Sequence, residues 1–281
     1  MHRSLLVETS SKLSYNNGCI VAESELSKTT VPLAEIDTLV VDNSRSVITT
    51  ALANNLARSN VDTLICDNKH MPCARISPIC GSGNGFARVS QQLAWHEDVK
   101  NTAWHSVVTN KMNNQILIAD NLVGVRLSLP SSTNVDNDEG ILARMYFRRL
   151  FGRNFVRHLN DDVNAMLNYG YSLLLSQMTK IVLSHGYLTQ LGLHHCAKTN
   201  NNNFVCDVME PFRPFVDRIV FHHKCEPFDR QVKLSLLDVY NENATIFGKK
   251  YGLADAMSVY FESICDFLNE KTKTIAEVVP I

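Results

Sequence analysis

The sequence predicts an α+β protein, a small β domain followed by a larger helical one, and three observations carry that expectation. Short apolar runs bounded by turn residues fill the first third, the glycine cluster Gly81-Ser-Gly-Asn-Gly85 interrupts them, and helix-like periodicity dominates thereafter. The expected domains are therefore 1–85 and 86–281. With 281 residues, 45% hydrophobic and 20% charged, the chain can bury one or two ordinary cores and is not a disordered polypeptide.

Each element has its own signal. Leu5-Leu6-Val7, Cys19-Ile20-Val21, Leu39-Val40-Val41 and Leu64-Ile65-Cys66 read as strands. Asn16-Asn17-Gly18 and Asp67-Asn68-Lys69 supply turn chemistry, and a helix is expected over 49–59. The glycine cluster lacks the Gly-Lys-Ser/Thr ending of a phosphate loop, so it reads as a turn or interdomain loop. Beyond it, two helices are expected over 89–110 and 113–127, then a polar loop over 130–138. Asp136 and Asp138 do not open a calcium loop, because Phe147 stands at the twelfth position where glutamate is required. A further helix should start near Asp138 and run to Phe151, with Gly152 as its stop. Asn160-Asp161-Asp162 caps another that ends before Gly186. The asparagine-rich stretch 198–203 reads as a loop, and helices follow over 211–222, 229–241 and 254–269.

Composition narrows the function classes. No cleavable signal sequence or apolar run of the roughly 20 residues needed to cross a bilayer is found, so a cytoplasmic protein without membrane contact is expected. The eight cysteines form no Cys-x-x-Cys pair, which argues for reduced thiols over disulfides or structural zinc. Net charge is −1, yet between Glu139 and Lys224 ten Lys or Arg face six Asp or Glu. Arg144, Arg148, Arg149, Arg153 and Arg157 follow one another without an acid between them. Such a run is either a solvated helix face or a phosphate-binding patch, which depends on local rather than net charge. On helical spacing, Arg149, Arg153 and Arg157 share one face, and Arg144 and Arg148 another.

Four separated motifs carry the chemistry. They are Glu139-Gly-Ile-Leu-Ala-Arg-Met-Tyr-Phe147, Asn164-Ala-Met-Leu-Asn-Tyr-Gly-Tyr171, Leu191-Gly-Leu-His-His195 and Asp207-Val-Met-Glu-Pro-Phe-Arg-Pro214. Read singly, Glu139 is equally an acid favoured at a helix start, His195 a packed histidine, and Glu210 a first-turn acid before Pro211. Read together, two carboxylates and one imidazole make an O/O/N donor set suited to Mg²⁺ or Mn²⁺ with positions open to water and phosphate. Asp207, three residues before Glu210, is an outer acid or an alternative ligand. Asn164 and Asn168 share a helix face and either cross-link helices or touch DNA.

Taken in order, these motifs resemble the CRISPR-associated integrase, the catalytic subunit that inserts captured DNA into a CRISPR array. The resemblance runs from the β-rich start to at least Asp217 and is most specific from Glu139 onward. It implies an N-terminal β-sandwich domain, an all-helical catalytic domain, and Glu139, His195 and Glu210 as metal-binding catalytic residues. The Gly-x-x-His spacing from Gly192 selects His195 over His194, and the acid before Pro-Phe-Arg-Pro selects Glu210. Arg213, Arg144, Arg148 and Tyr169 are further site candidates, with Arg213 the leading basic one. The implied reaction is transesterification, 3′ ends of a short duplex protospacer attacking the borders of a CRISPR repeat, with endonuclease activity as a related use. The implied assembly is a homodimer formed through the N-terminal parts, two of which are bridged by a dimer of a small ferredoxin-like adaptation subunit in a 4:2 complex. The wording Asp-Val-Met-Glu-Pro-Phe-Arg-Pro points to type II systems and so to their other adaptation proteins. The competing readings are a DNA-binding scaffold without chemistry and a metal-dependent hydrolase of small phosphate esters. The arginine run separates the last of these, since it predicts salt-dependent duplex binding.

Overall fold

The computed structural model describes residues 2–78, 84–128 and 135–281, and its chain divides into two compact units, Met1–Gly81 and Ser82–Ile281. In the first unit the described elements are β1 (Ser4–Val7), β2 (Lys12–Asn16), β3 (Cys19–Glu23), β4 (Lys28–Pro32), β5 (Thr38–Val41), β6 (Val47–Ile48), α1 (Thr50–Arg58), β7 (Asp62–Cys66) and β8 (Pro72–Ile76). They form two four-stranded sheets, ordered β1-β5-β7-β8 and β4-β3-β2-β6. In the first sheet β1, β5 and β7 are parallel, and β8 pairs antiparallel at the edge.

All four residues of β5 are buried, as expected for a central parallel strand covered on both faces. Asn17 and Gly18, at φ +46° and +80°, make the two-residue turn between β2 and β3 that twisted hairpins require. Leu13, Ile20, Leu39, Val41, Leu52 and Leu56 are buried in one apolar cluster, so both sheets and α1 share a core. The four apolar runs became β1, β3, β5 and β7. The strands without such runs include β4, whose Lys-Thr-Thr-Val-Pro is mostly exposed and so needs no continuous hydrophobic stretch.

The second unit is helical with a small sheet. Its described helices are α2 (Gly85–Leu93), α3 (Glu97–Val123), α4 (Val135–Phe151), α5 (Asp162–Ser184), α6 (Asn203–Val208), α7 (Arg213–His223), α8 (Arg230–Leu237) and α9 (Leu253–Leu268). Strands β9 (Asn243–Ile246), β10 (Lys249–Gly252) and β11 (Val279–Pro280) form a sheet ordered β10-β9-β11, which corrects the all-helical expectation for this part. Only the four residues of β9 alternate, half-buried Asn243 and Thr245 with buried Ala244 and Ile246, which is a short signal, and the turn after it places Phe247 at φ +50° instead of an Asn or Asp. Among the described residues no helix is long and apolar enough to cross a membrane. The glycine cluster and the loop over 130–138 lie largely outside the described residues.

The two helices expected over 89–110 and 113–127 are α2 and α3, with the break between them at 94–96 and none at 111–112. Helix α3 is continuous for 27 residues, about 40 Å, and ends on Gly124 in the left-handed conformation. Its interior polar residues do not interrupt it because they anchor neighbours. Asn110 clamps the backbone of Val278 at 2.8 Å in both directions, and Asn114 donates to the Pro211 carbonyl at 2.9 Å. Helix α5 is capped by Asp161, whose carboxylate accepts from the Asn164 amide at 2.7 Å. At Gly170 it meets α7 so closely that a Cβ would lie 2.3 Å from Val216.

Candidate functional site

Three segments converge on one ammonium group. Lys111 of α3 places Nζ 2.5 Å from Glu139 Oε1 of α4 and 2.5 Å from Glu210 Oε2, in the 3₁₀ turn Glu210–Phe212. Both carboxylate oxygens therefore lie within about 5 Å of each other. Lys111 and Glu210 are buried and Glu139 is half-buried. Glu139 sits in the second turn of α4, which begins earlier than the sequence suggested, so the helix dipole contributes less to holding its charge. Glu210 is fixed from both sides, because Arg213 Nη2 reaches its Oε1 at 2.9 Å. Burial alone would raise the Glu210 pKa, but Arg213 and Lys111 offset it and hold the carboxyl below its ordinary value. Burial likewise works against the Lys111 charge, and Glu210 and Glu139 more than restore it.

Asp207 builds the imidazole side of the site. It is fully buried, and its two oxygens accept from the backbone amides of Leu193 (2.6 Å), His194 (3.0 Å) and His195 (3.3 Å) and pair with His195 Nδ1. That bond assigns the Nδ1–H tautomer to neutral His195 and leaves Nε2 as the ring's free acceptor. It also raises the His195 pKa, against the opposing effect of burial. The turn that brings these amides to one carboxylate has no room for a side chain at Gly192. A Cβ there would stand 2.3 Å from the His195 carbonyl and 2.7 Å from Asp207 Oδ2. His194 is held elsewhere: its ring stacks on Trp104 at 4.5 Å and 3°. Trp104 in turn donates to Asp136 Oδ1 at 2.9 Å, tying α3 to the start of α4.

A second polar cluster backs this one. The Tyr171 ring carries the guanidinium groups of Arg213 at 5.0 Å and Arg157 at 5.3 Å, and its hydroxyl donates to Asp217 Oδ1 at 2.5 Å. Arg157 also donates to Asn164 Oδ1 and Asn168 Oδ1, at 3.0 and 2.8 Å. Asn164 holds the Val156 carbonyl as well, so these asparagines cross-link the segment after α4 to α5. This corrects the expected arginine face: α4 ends at Phe151, where Gly152 turns to φ +106°, so Arg149, Arg153 and Arg157 do not share one helix. Arg144 and Arg148 are exposed on α4 beyond Glu139, beside a groove that includes Phe147, Phe155 and Val156. Tyr169 is fully buried against Phe228, 5.4 Å between rings.

The donor set suits a divalent cation. Glu139 and Glu210 already share one cation, Glu210 Oε2 is buried without a hydrogen bond of good geometry, and His195 turns its acceptor nitrogen outward from Asp207. Among the described residues no three His, Cys, Asp or Glu side chains are arranged to hold an ion, and Lys111 stands between the two acids. Lys111 is the residue that sequence motifs missed. Its signal was its place on the buried stripe of α3 with Trp104, Val107, Val108 and Ile118, where a charge requires a partner.

Residues 5–224 match the family model for CRISPR-associated protein Cas1. The chain belongs to the Cas1 family. A CRISPR-associated endonuclease Cas1 from Neisseria meningitidis is 33% identical over 228 residues, 78% of this chain and 75% of its own. Another from Korarchaeum cryptofilum is 24% identical over 94% of this chain and 93% of its own. Among solved structures, a casposase bound to its integration product has a TM-score of 0.80 at 16% identity, covering 98% of this chain and 92% of its own. A Cas1 protein from Thermotoga maritima has a TM-score of 0.72 at 14% identity, covering 95% and 97%. The α+β arrangement found here, with N-terminal strands in sheets, is thus the Cas1 fold.

Proposed function

We propose that this Cas1 chain is a divalent-metal-dependent DNA integrase and endonuclease of CRISPR adaptation, joining 3′ ends of short duplex DNA to repeat borders by transesterification. The observation that carries this reading is the meeting of Glu139 and Glu210, from two separate motifs, on a single cationic group beside an imidazole oriented by Asp207. The endonuclease names of the relatives and the integration product in the casposase structure support it. Glu139, Glu210 and His195 hold Mg²⁺ or Mn²⁺, Asp207 fixes the imidazole, and Arg213 fixes Glu210. Held there, the ion would supply the positive charge that offsets negative charge developing on a reacting phosphodiester. No covalent protein nucleophile is needed, which agrees with the deep burial of Tyr169. Arg144 and Arg148, exposed on the same helix as Glu139, are the side chains placed to meet a DNA phosphate.

In this reading the two sheets of the first unit are the β-sandwich through which a homodimer forms, and the catalytic part follows from about residue 86. Two dimers are bridged by a dimer of a small ferredoxin-like subunit, in the cytoplasm of a cell with a type II system. Solved structures of a Cas6-RT-Cas1–Cas2 complex and of a Cas1–DNA complex share the fold, with TM-scores of 0.72 and 0.61.

The test is a labelled branched duplex that mimics a half-site product, incubated with Mn²⁺ and the protein or its Glu139→Ala, His195→Ala and Glu210→Ala variants. Resealing of the target strand, lost in all three variants and without metal, is the expected result. Tight binding with no reaction, even with the small subunit added, would favour a scaffold. Neither binding nor reaction would move a small-ester hydrolase to first place.

A further inference from the structure

The two carboxylates assigned to the metal already have a cation of their own. Lys111 Nζ is 2.5 Å from each of them, and Glu210 and Glu139 stabilise its charge against the opposing effect of burial. The lysine cannot withdraw by a shift of its helix. Asn110 and Asn114, on either side, fasten α3 to Val278 and to Pro211, the residue next to Glu210. Only the flexible four-carbon side chain is free to move. With Lys111 and Arg213 both in place, the two acids are neutralised before any ion arrives. A divalent ion binds carboxylate oxygens at about 2.0–2.2 Å and cannot share this narrow gap with an ammonium of like charge.

We propose that Lys111 is a built-in competitor for the divalent ion: it occupies the ion's place between Glu139 and Glu210, and loading of the ion and withdrawal of the Lys111 ammonium are one event. Lys111 is therefore a positioning residue that preserves the spacing of the two carboxylates while lowering the affinity for metal. The proposal rests on the reading of Glu139 and Glu210 as metal ligands.

Mn²⁺ binding to the full chain, followed by the loss of the free-ion paramagnetic resonance signal, tests both layers. Lys111→Met is expected to bind Mn²⁺ at least tenfold more tightly than the unaltered chain, whereas Lys111→Arg, which keeps the charge, is not. Glu139→Gln combined with Glu210→Gln should abolish binding in either background. Equal affinity of the unaltered and Lys111→Met proteins, with binding still dependent on the two glutamates, would overturn the Lys111 proposal and leave the metal reading intact. Absence of Mn²⁺ binding in every variant would overturn the metal reading itself, and the Lys111 proposal with it. A second measurement needs no variant: acetylation of Lys111 by acetic anhydride, read by mass spectrometry, should rise severalfold once Mn²⁺ is bound. An unchanged rate on metal-loaded protein would also overturn the proposal.

Discussion

Two buried polar clusters lie side by side in the helical unit, and they keep their acids in opposite ways. Around Lys111, the carboxylates of Glu139 and Glu210 are each matched to a cation, and the Glu210 pKa stays below its ordinary value. Around Asp217, the acid is fully buried and is met by the Tyr171 hydroxyl instead of a contacting cation. Burial pushes the Asp217 pKa up to about 6 despite that hydrogen bond. The first cluster holds charge that another cation can claim; the second holds an acid whose protonated form burial favours. Arg213 bridges them, pairing with Glu210 and lying over the Tyr171 ring.

The comparison breaks most visibly in activity. Glu210→Gln should lower metal-dependent strand transfer by about a thousandfold or more, as expected when several kcal/mol of charge stabilisation are lost. Asp217→Asn, which preserves a Tyr171 acceptor, should lower it less than tenfold. Equal losses in the same resealing assay would show that the two clusters act as one.

The two close-packed glycines sharpen it next. Gly192→Ala places a methyl against the His195 carbonyl and Asp207, and should weaken Mn²⁺ binding by about 10–100-fold through misplacement of the imidazole. Isothermal calorimetry would measure it. Gly170→Ala gains up to about 1 kcal/mol of helix propensity but collides with Val216 at a cost of about 1–3 kcal/mol. A net loss of stability in urea titration, relieved by adding Val216→Ala, with little change in Mn²⁺ affinity, is the expected outcome.

A smaller effect separates the clusters by pH. Because the folded-state pKa of Asp217 is raised, folding keeps a proton that the unfolded chain releases. The stability it contributes is present below about pH 4 and is lost as pH rises to about 6, an effect of about 2–3 kcal/mol. Asp217→Asn should remove that part of the slope in denaturation curves taken between those limits. The smallest change is expected from Asn168→Ala, which removes one hydrogen bond from Arg157 and should cost about 1 kcal/mol of stability.

Much of this was legible in one dimension, because the relevant physics is local. Asn17-Gly18 specifies a tight turn, Asp161 a helix start and Gly152 a helix end, and each acts within a few residues of itself. The continuity of α3 through 111–112 was not legible, since the polar residues at Asn110 and Lys111 look like a helix end until their partners, Val278 and the two glutamates, are seen. The arginine run failed for the same reason in reverse. Helical spacing was extended past Gly152, beyond the point where a helix exists.

By itself the sequence determined the order of a β part and a helical part, the motifs that resemble the Cas1 family, and Glu139, His195 and Glu210 as the residues to examine. Only the tertiary structure decided what surrounds them. It placed Asp207 behind His195, set His194 on Trp104 and brought Lys111 between the two acids. Motif spacing records which donors a chain owns. Which cation those donors face depends on burial and distance, and these are set by helices far apart in sequence.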